Sequence, residues 1–229
     1  VGTRVRQAMI LAAGRGERLR PLSDYVPKPL LELGGKSLLH RHLEGFARLG
    51  LERVVINIGH LGGQIRASLG RRCMGLDILY SDERDNRLET GGAIVRAREI
   101  LGDAPFLLAN GDVCSDFDWT PLVTADAVET LVLVPNPAHH PGGDFALVNG
   151  QVQCPRAGRA TFTYAGMARL SGAWFAERVC APAPLGPWLL DWAAAGLLAG
   201  WLHEGRWFDV GTVARWRDAR RACGGRHGL

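Results

Sequence analysis

Apolar residues in this chain fall into short unbroken runs and longer helical repeats, and over the first half the two alternate. Ala8 to Ala12 is an unbroken apolar run ending in glycine, the pattern of a strand covered on both faces. From Leu38 to Leu49 the apolar positions Leu38, Leu39, Leu43, Phe46, Ala47 and Leu49 recur at helical spacing, and Gly50 follows as a stop. Arg53 to Ile58 reads as a second strand, Leu61 to Leu69 as a second helix closed by Gly70, and Asp77 to Ser81 as a short third strand. Gly91 to Ile100 gives another helix, and Pro105 to Ala109 another buried strand running into Asn110-Gly111-Asp112-Val113. This βαβαβαβ alternation predicts an α/β fold with a mostly parallel sheet between helices, whose ligands sit at the carboxyl ends of the strands.

The second half is patterned differently. Leu131 to Pro135 is a strand, His139 to Gly143 is rich in turn residues, and Phe145–Val148, Gln151–Gln153 and Thr161–Ala165 alternate like antiparallel strands. A Leu-, Ala- and Trp-rich helix is expected over Leu185 to Leu198, a closing strand over Trp207 to Val210, and a basic helix over Val213 to Cys223, ending at Gly224. Trp188, Trp192 and Trp201 are expected in the core. With no repeat or linker, residues 1–229 read as one domain, a three-layer α/β/α sandwich with a Rossmann-like, mixed but mostly parallel sheet and a substrate-facing subregion in the second half.

Composition narrows the function classes. At 229 residues with 47% hydrophobic and 22% charged residues, the chain is an ordinary globular domain with one substantial core. The net charge of +4 comes from scattered arginines that form no basic stripe, which argues against nucleic acid as partner and fits a phosphorylated small molecule. The five cysteines are odd in number, widely spaced and without a Cys-x-x-Cys pair, so neither a disulfide framework nor a zinc site is indicated. The apolar segment after Val1 to Arg6 is too short for a signal peptide or a membrane span, and the reading is a cytoplasmic protein with no membrane partner.

Candidate chemistry concentrates in Leu11 to Leu30. Gly14 and Gly16 would let backbone N–H groups approach an anion, while Arg15, Arg18, Arg20 and Lys28 supply charge. A dinucleotide fingerprint fails because Leu19 stands where its third glycine would be and the second strand ends in Asn57, not an acidic residue; a P-loop fails for want of Gly-Lys-Ser/Thr. Arg15 and Arg20 are as readily solvated surface residues as ligands. Lys28 is distinct: the chain holds only one other lysine, Lys36, and Lys28 is a compact charge between two prolines. Asp112 and Asp209 lie directly beside buried strands, where an unpaired charge is costly. His139-His140 lacks a third ligand at metal-binding spacing.

The stretch Leu-Ala-Ala-Gly-x-Gly-x-Arg-Leu-x-Pro-Leu, followed by Pro-Lys-Pro-Leu, closely resembles the signature of the sugar-1-phosphate nucleotidyltransferases, with every fixed element present from Leu11 to Leu30. Leu88-Glu89-Thr90-Gly91-Gly92, Asn110-Gly111-Asp112, Gly143-Asp144-Phe145, Tyr164-Ala165-Gly166 and Phe208-Asp209-Val210-Gly211-Thr212 follow in family order. The resemblance implies that Leu11, Ala12, Ala13, Gly14, Gly16, Glu17 and Arg18 hold a nucleoside triphosphate, with Arg18 on its β and γ phosphates and Lys28 at the reacting groups. It implies Mg2+ between Asp112 and Asp209, and Asn110, Glu89, Thr90 and Gly91 toward the nucleotide, although Thr90 also reads as an ordinary helix cap. Asp144, Tyr164, Gly166 and Trp207 fall where the family binds its sugar; for Asp144 a plain turn role is the competing reading. The lysine that larger relatives carry before Tyr-x-Gly is missing, leaving Arg156, Arg159, or Lys28 with Mg2+ to take its place.

Within the family, the short length, Leu-Glu-Thr-Gly-Gly, the His-His segment at Asn136 to His140 and Gly-Asp-Phe look most like the N-acetylmuramate α-1-phosphate uridylyltransferase subgroup of cell-wall sugar recycling. The implied reaction is attack by a sugar 1-phosphate on UTP, with residues 8–115 as the nucleotide half and 130–212 as the sugar half, in a monomer or weak homodimer. Guanylyl, thymidylyl or cytidylyl transfer to another sugar phosphate is the alternative, and a catalytically silent nucleotide-sugar sensor a remote one. The need for cations is physical: two like charges about 4 Å apart repel by about 4 kcal/mol at an effective dielectric of about 20, and the two substrates are both phosphates.

Overall fold

The structure, a computed structural model, describes residues 4–83, 87–124 and 126–223. The first half runs β1 (Gln7–Leu11), α1 (Leu22–Tyr25), β2 (Glu32–Leu33), β3 (Lys36–Ser37), α2 (Leu38–Arg48), β4 (Arg53–Ile58), α3 (Gly62–Leu69), β5 (Arg72–Cys73), β6 (Leu76–Asp82), α4 (Glu89–Leu101) and β7 (Pro105–Asn110). The second half adds β8 (Val113–Ser115), β9 (Thr130–Val134), β10 (Ala146–Val148), β11 (Gln151–Gln153), β12 (Thr163–Ser171), α5 (Gly186–Ala194), β13 (Ala199–Leu202), β14 (Trp207–Asp209) and α6 (Val213–Cys223).

Ten strands form one sheet in the order β10-β11-β13-β9-β12-β7-β1-β4-β6-β5. β7, β1, β4 and β6 are mutually parallel neighbours, β12 is antiparallel to both β7 and β9, and β13 is parallel to β9. The mixed, centrally parallel sheet is therefore as the sequence pattern predicts. Alternation along β1 divides the core: Ala8 and Ile10 face a cluster with Leu43 and Phe46 of α2 and Ile65 of α3, whereas Met9 faces one with Ile94 of α4 and Trp192 of α5. Helices thus cover both sides of the sheet, the three-layer sandwich. Among the described residues no helix is long and apolar enough to cross a membrane.

Helix boundaries follow local chemistry. Ser37 accepts the His40 N–H at 3.2 Å to start α2, and Gly70, with φ +63°, closes α3. Helix α4 begins at Glu89, two residues before the expected start, and Leu88, not Thr90, occupies its N-cap. The expected helix over Leu185 to Leu198 ends early. Gly196 at φ +70° terminates the turn, and the chain re-enters the sheet as β13, which apolar periodicity alone does not distinguish from further helix. One consequence corrects the expectation for Trp201: it lies on β13, 45% exposed, while Trp192 is buried and Trp188 half-buried. Gly224, the expected end of α6, lies outside the described residues.

Two short ribbons complete the fold: the hairpin β2–β3, and β8 paired antiparallel with β14. The second ribbon matters most for function. It pairs Asp209 with Val113, the residue next to Asp112, and the Val210 N–H donates to the Asp112 carbonyl at 2.9 Å.

Candidate active site

The carboxyl ends of the central strands line up in register. Leu11 is the pairing partner of Asn110 on one side and Asn57 on the other, and Asn57 pairs in turn with Ser81. The chain leaves each strand at this row, and a cavity of about 420 Å³ opens above it. It is lined by Leu11 to Gly14 after β1, by Lys28 and Pro29, by Glu89 and Thr90 at the start of α4, and by Asn110 at the end of β7 and Asp112 just after it.

Lys28 Nζ and Asp112 Oδ2 form an ion pair, with side chains 17% and 23% exposed. Lys28 opens a 3-10 turn, Lys28–Leu30, entered from Pro27, and this turn aims its amine at the end of β7. Near Asp112 lies His42 of α2, buried with 9% of its surface exposed, close to the carbonyls of Asn110 and Val113 and stacked on Phe46, its Nε2 without a hydrogen-bond partner among the described residues. Burial pushes the His42 pKa down from 6.5 to about 4, with the nearby carbonyls and Asp112 opposing only in part. The buried imidazole is therefore neutral beside the loop that carries Asp112. The helical spacing of His42 to Phe46 marks it as core-facing; its place near Asp112 was not readable from the sequence.

The cavity lining holds a second polar set, which is buried. Asn57 Oδ1 accepts the Ala12 N–H at 2.6 Å, and Asn57 Nδ2 donates to Glu83 Oε1 at 2.9 Å. Asn57 and Glu83 are 4% and 7% exposed, and desolvation raises the Glu83 pKa above the ordinary carboxylate range. Sequence reading missed Glu83 and Arg87, both of which line the cavity. Arg87 Nη2 reaches Glu17 Oε1 at 3.3 Å. The only sequence signal for Glu83 is an acidic residue just past a strand, β6.

The other residues of the signature loop lie outside the cavity lining. Ser23 Oγ donates to the Gly16 carbonyl at 2.8 Å, and Arg18 is exposed on the short turn Glu17–Leu19, with no ion-pair partner among the described residues. Gly91 is buried, its N–H donating to the Ala183 carbonyl at 2.8 Å, and Thr90 Oγ1 accepts from the Leu185 N–H at 2.9 Å. These two bonds tie the start of α4 to the segment entering α5.

The second half of the chain reaches this row through β12, which pairs with β7, and β14, which pairs with β8. Strand β12 is irregular between Tyr164 and Ala168, and Gly166, at φ +71°, lies at this irregularity. A Cβ at Gly166 would stand 2.5 Å from Asn110 Nδ2, so only glycine admits the Asn110 side chain there. The Trp207 indole N–H donates to the Ala165 carbonyl at 3.0 Å. Asp144 accepts the Tyr164 N–H on Oδ2 at 2.8 Å, and its Oδ1 lies 2.9 Å from His140 Nε2. The Tyr164 ring packs on the α4–α5 side of the sheet, its hydroxyl buried, and burial raises its pKa.

Asp209 has a cluster of its own. Arg215 Nη1 donates to Asp209 Oδ2 at 2.7 Å and to His139 Nε2 at 2.5 Å, and His139 Nε2 lies 3.5 Å from the same carboxylate oxygen. An arginine can only donate, so His139 Nε2 is the acceptor in this contact. Neither Arg215 nor His139 was assigned to this site from the sequence. Arg215 sits in the first turn of α6, six residues after Asp209, with its backbone N–H on Thr212 Oγ1 at 3.3 Å.

Chemically, the arrangement offers backbone and cationic groups to phosphates, and to a hard cation two carboxylates, one in the turn between β7 and β8 and one at the end of β14. Among the described residues no group of three or more His, Cys, Asp or Glu side chains could hold a metal ion alone. An oxygen-only donor pair of this kind fits Mg2+ that completes its shell with substrate phosphates and water.

The sequence profile of the nucleotidyl transferase family matches residues 7–141. The chain is 40% identical over 227 residues to the N-acetylmuramate α-1-phosphate uridylyltransferase of Neisseria meningitidis serogroup B, covering 95% of this chain and 98% of that protein. It is 33% identical over 225 residues to the enzyme of the same name from Caulobacter vibrioides, covering 89% and 91%. Among solved structures, UTP-bound UGPase from Acinetobacter baumannii superposes with a TM-score of 0.83 at 14% identity, covering 97% of this chain and 94% of that one. The inositol-1-phosphate CTP transferase of T. maritima gives 0.77 at 16% identity, covering 98% and 99%. At such identities the two structural likenesses speak to fold alone.

Proposed function

The chain belongs to the nucleotidyl transferase family, and we propose that it transfers the uridylyl group of UTP to N-acetylmuramate α-1-phosphate, giving the UDP-sugar and pyrophosphate. The observation that carries this reading is the joint presence, beside one cavity, of the Lys28–Asp112 ion pair and Asp209 on the adjoining ribbon, in a chain whose relatives of that name match over nearly their whole length. Mannose-1-phosphate guanylyltransferase subunits of Danio rerio and Drosophila melanogaster match only about half of this chain and a third of their own, so guanylyl transfer ranks second.

In this reading residues 8–115 hold the nucleotide and residues 130–212 the sugar phosphate, within one domain. The Ala12 to Gly14 backbone, Gly16, Glu17 and Arg18 take the triphosphate, and Glu83, through Asn57, fixes Ala12 on the base side of the cavity. Leu11, Asn110, Glu89, Thr90 and Gly91 shape the nucleotide side, Gly91 by its packing and not by its N–H. Asp144, Tyr164, Gly166 and Trp207 border the sugar side. Asp112 and Asp209 would hold Mg2+, which when bound supplies charge neutralisation between the two phosphates.

A sugar-phosphate oxygen attacks the α-phosphorus in line, the bond to the pyrophosphate oxygen breaks, and pyrophosphate leaves. The nucleophile is already ionised, so no general base is required, and Lys28 stabilises the charge that builds on the reacting phosphate. We place the reaction in the cytoplasm, where nucleoside triphosphates are made. Pyrophosphate release from UTP, N-acetylmuramate α-1-phosphate and Mg2+ tests the proposal. Binding of UTP with no pyrophosphate released from any sugar 1-phosphate would identify a sensor instead.

A further inference from the structure

We propose that Arg215 is the resident counter-cation of Asp209 and that, with Lys28 on Asp112, it leaves the carboxylate pair charge-balanced, so that a divalent cation is taken up with the nucleoside triphosphate and not alone. The inference rests on the reading that these two aspartates hold the metal.

Each carboxylate already has a cation on one oxygen, Lys28 on Asp112 Oδ2 and Arg215 on Asp209 Oδ2. Two negative and two positive side chains leave this cluster with no net charge to attract a bare dication. Among the described residues no third carboxylate, imidazole or thiolate joins the pair to make a protein-only site. His139 stands near Asp209 but its Nε2 lone pair is engaged by Arg215, which removes it as a ligand while that bond lasts.

The placement of Arg215 is built into the chain. Thr212 Oγ1 accepts its backbone N–H in the first turn of α6, which directs the side chain back over Asp209. Between them lies Gly211: a Cβ there would run into the Arg215 guanidinium and stand 3.0 Å from Asp209 Oδ1. A residue without a side chain is needed for the guanidinium to lie against this turn. The Arg215 side chain is only 19% exposed, and its Nε is buried with no hydrogen-bond partner among the described residues. Asp209 and His139 are therefore its principal partners, and the Asp209 bond is charge-assisted and partly shielded from water.

A metal–triphosphate complex changes this balance. It brings its own oxygen ligands, and its phosphates offer Lys28 and Arg215 new acceptors, so both cations can be released from the aspartates without being left unpaired. A bare metal ion offers them nothing and must compete with both. In the unliganded chain Arg215 acts through Asp209.

The test is Mn2+ binding to the full chain followed by electron paramagnetic resonance, with the metal alone and no nucleotide. Wild type is expected to bind weakly. Arg215→Met and Arg215→Gln, both uncharged, are each expected to bind on the order of tenfold more tightly, because a cation adjoining the site is gone. Arg215→Lys should stay near wild type, and adding Asp209→Asn to Arg215→Gln should abolish the gain. Either neutral variant that folds, by its circular dichroism, and binds Mn2+ no more tightly than wild type overturns the inference. The underlying site reading fails separately: Mn2+ binding in the presence of UTP would then be indifferent to both Asp112→Asn and Asp209→Asn.

Discussion

His42 makes the fold sensitive to mild acid, and the size of the effect follows from its burial. The imidazole has a pKa near 6.5 in the unfolded chain and about 4 in the folded one, because the enclosed site penalises its charged form. Above about pH 7 both states are neutral and the group contributes nothing. As pH falls through 6.5 the unfolded state takes up a proton that the folded state refuses, so stability falls, and the loss levels off once pH drops below the folded pKa. The shift corresponds to a total of about 3 kcal/mol, of which about 2 kcal/mol is lost between about pH 7.5 and about pH 5. His42→Leu removes the titration while keeping an apolar side chain of similar size against Phe46. Urea denaturation of both proteins at the two pH values gives the test, since each protein is compared with itself and any fixed cost of the substitution cancels. Wild type should lose about 2 kcal/mol more than the variant on acidification. Parallel losses would mean that His42 is protonated in the folded protein and that the account of its burial near Asp112 is wrong.

The remaining expectations concern turnover and substrate binding. Lys28→Ala and Asp112→Asn should each lower kcat on the order of 100-fold or more in a pyrophosphate-release assay, as loss of a preorganised charge does; near-normal turnover by either would remove them from the chemistry. Glu83→Ala leaves Asn57 Nδ2 without its acceptor beneath Ala12, so the KM for UTP should rise about tenfold at saturating sugar phosphate with the sugar KM unchanged. Asp144→Ala removes the acceptor of the Tyr164 N–H and the partner of His140; the KM for sugar phosphate should rise about tenfold, and an equal rise for UTP would show that the damage is not local.

The central sheet was legible because its strands are buried on both faces and broken by glycine-closed helices, as in Arg53–Ile58, whose sequence limits match the structure. β13 was hidden inside an apolar run, and the short β8 carried too few residues to show a period, although its pairing with β14 is what brings Asp209 beside Asp112. The signature loop and both aspartates stood out as charged or glycine-rich breaks next to apolar strands. Glu83 and His42 did not, because each acts through partners distant in sequence, Asn57 at 26 residues and the loop after β7; Arg215 is only six residues from Asp209, but the two meet only because the chain turns at Gly211 into α6. Gly91 illustrates the reverse case. Its motif placed it toward the nucleotide, and the fold gives its N–H to the Ala183 carbonyl.

The central claim is that this site joins UTP to N-acetylmuramate α-1-phosphate. An internal competition tests it most directly: the enzyme and Mg2+ are given UTP, GTP, CTP and dTTP together with the 1-phosphates of N-acetylmuramate, N-acetylglucosamine, glucose and mannose, and the products are resolved by mass. Initial product ratios report relative kcat/KM. The account predicts UDP-N-acetylmuramate as the main product, with one pyrophosphate released per sugar nucleotide formed. A different nucleotide-sugar in excess would contradict the assigned specificity, and no nucleotide-sugar at all would contradict the transfer reaction itself.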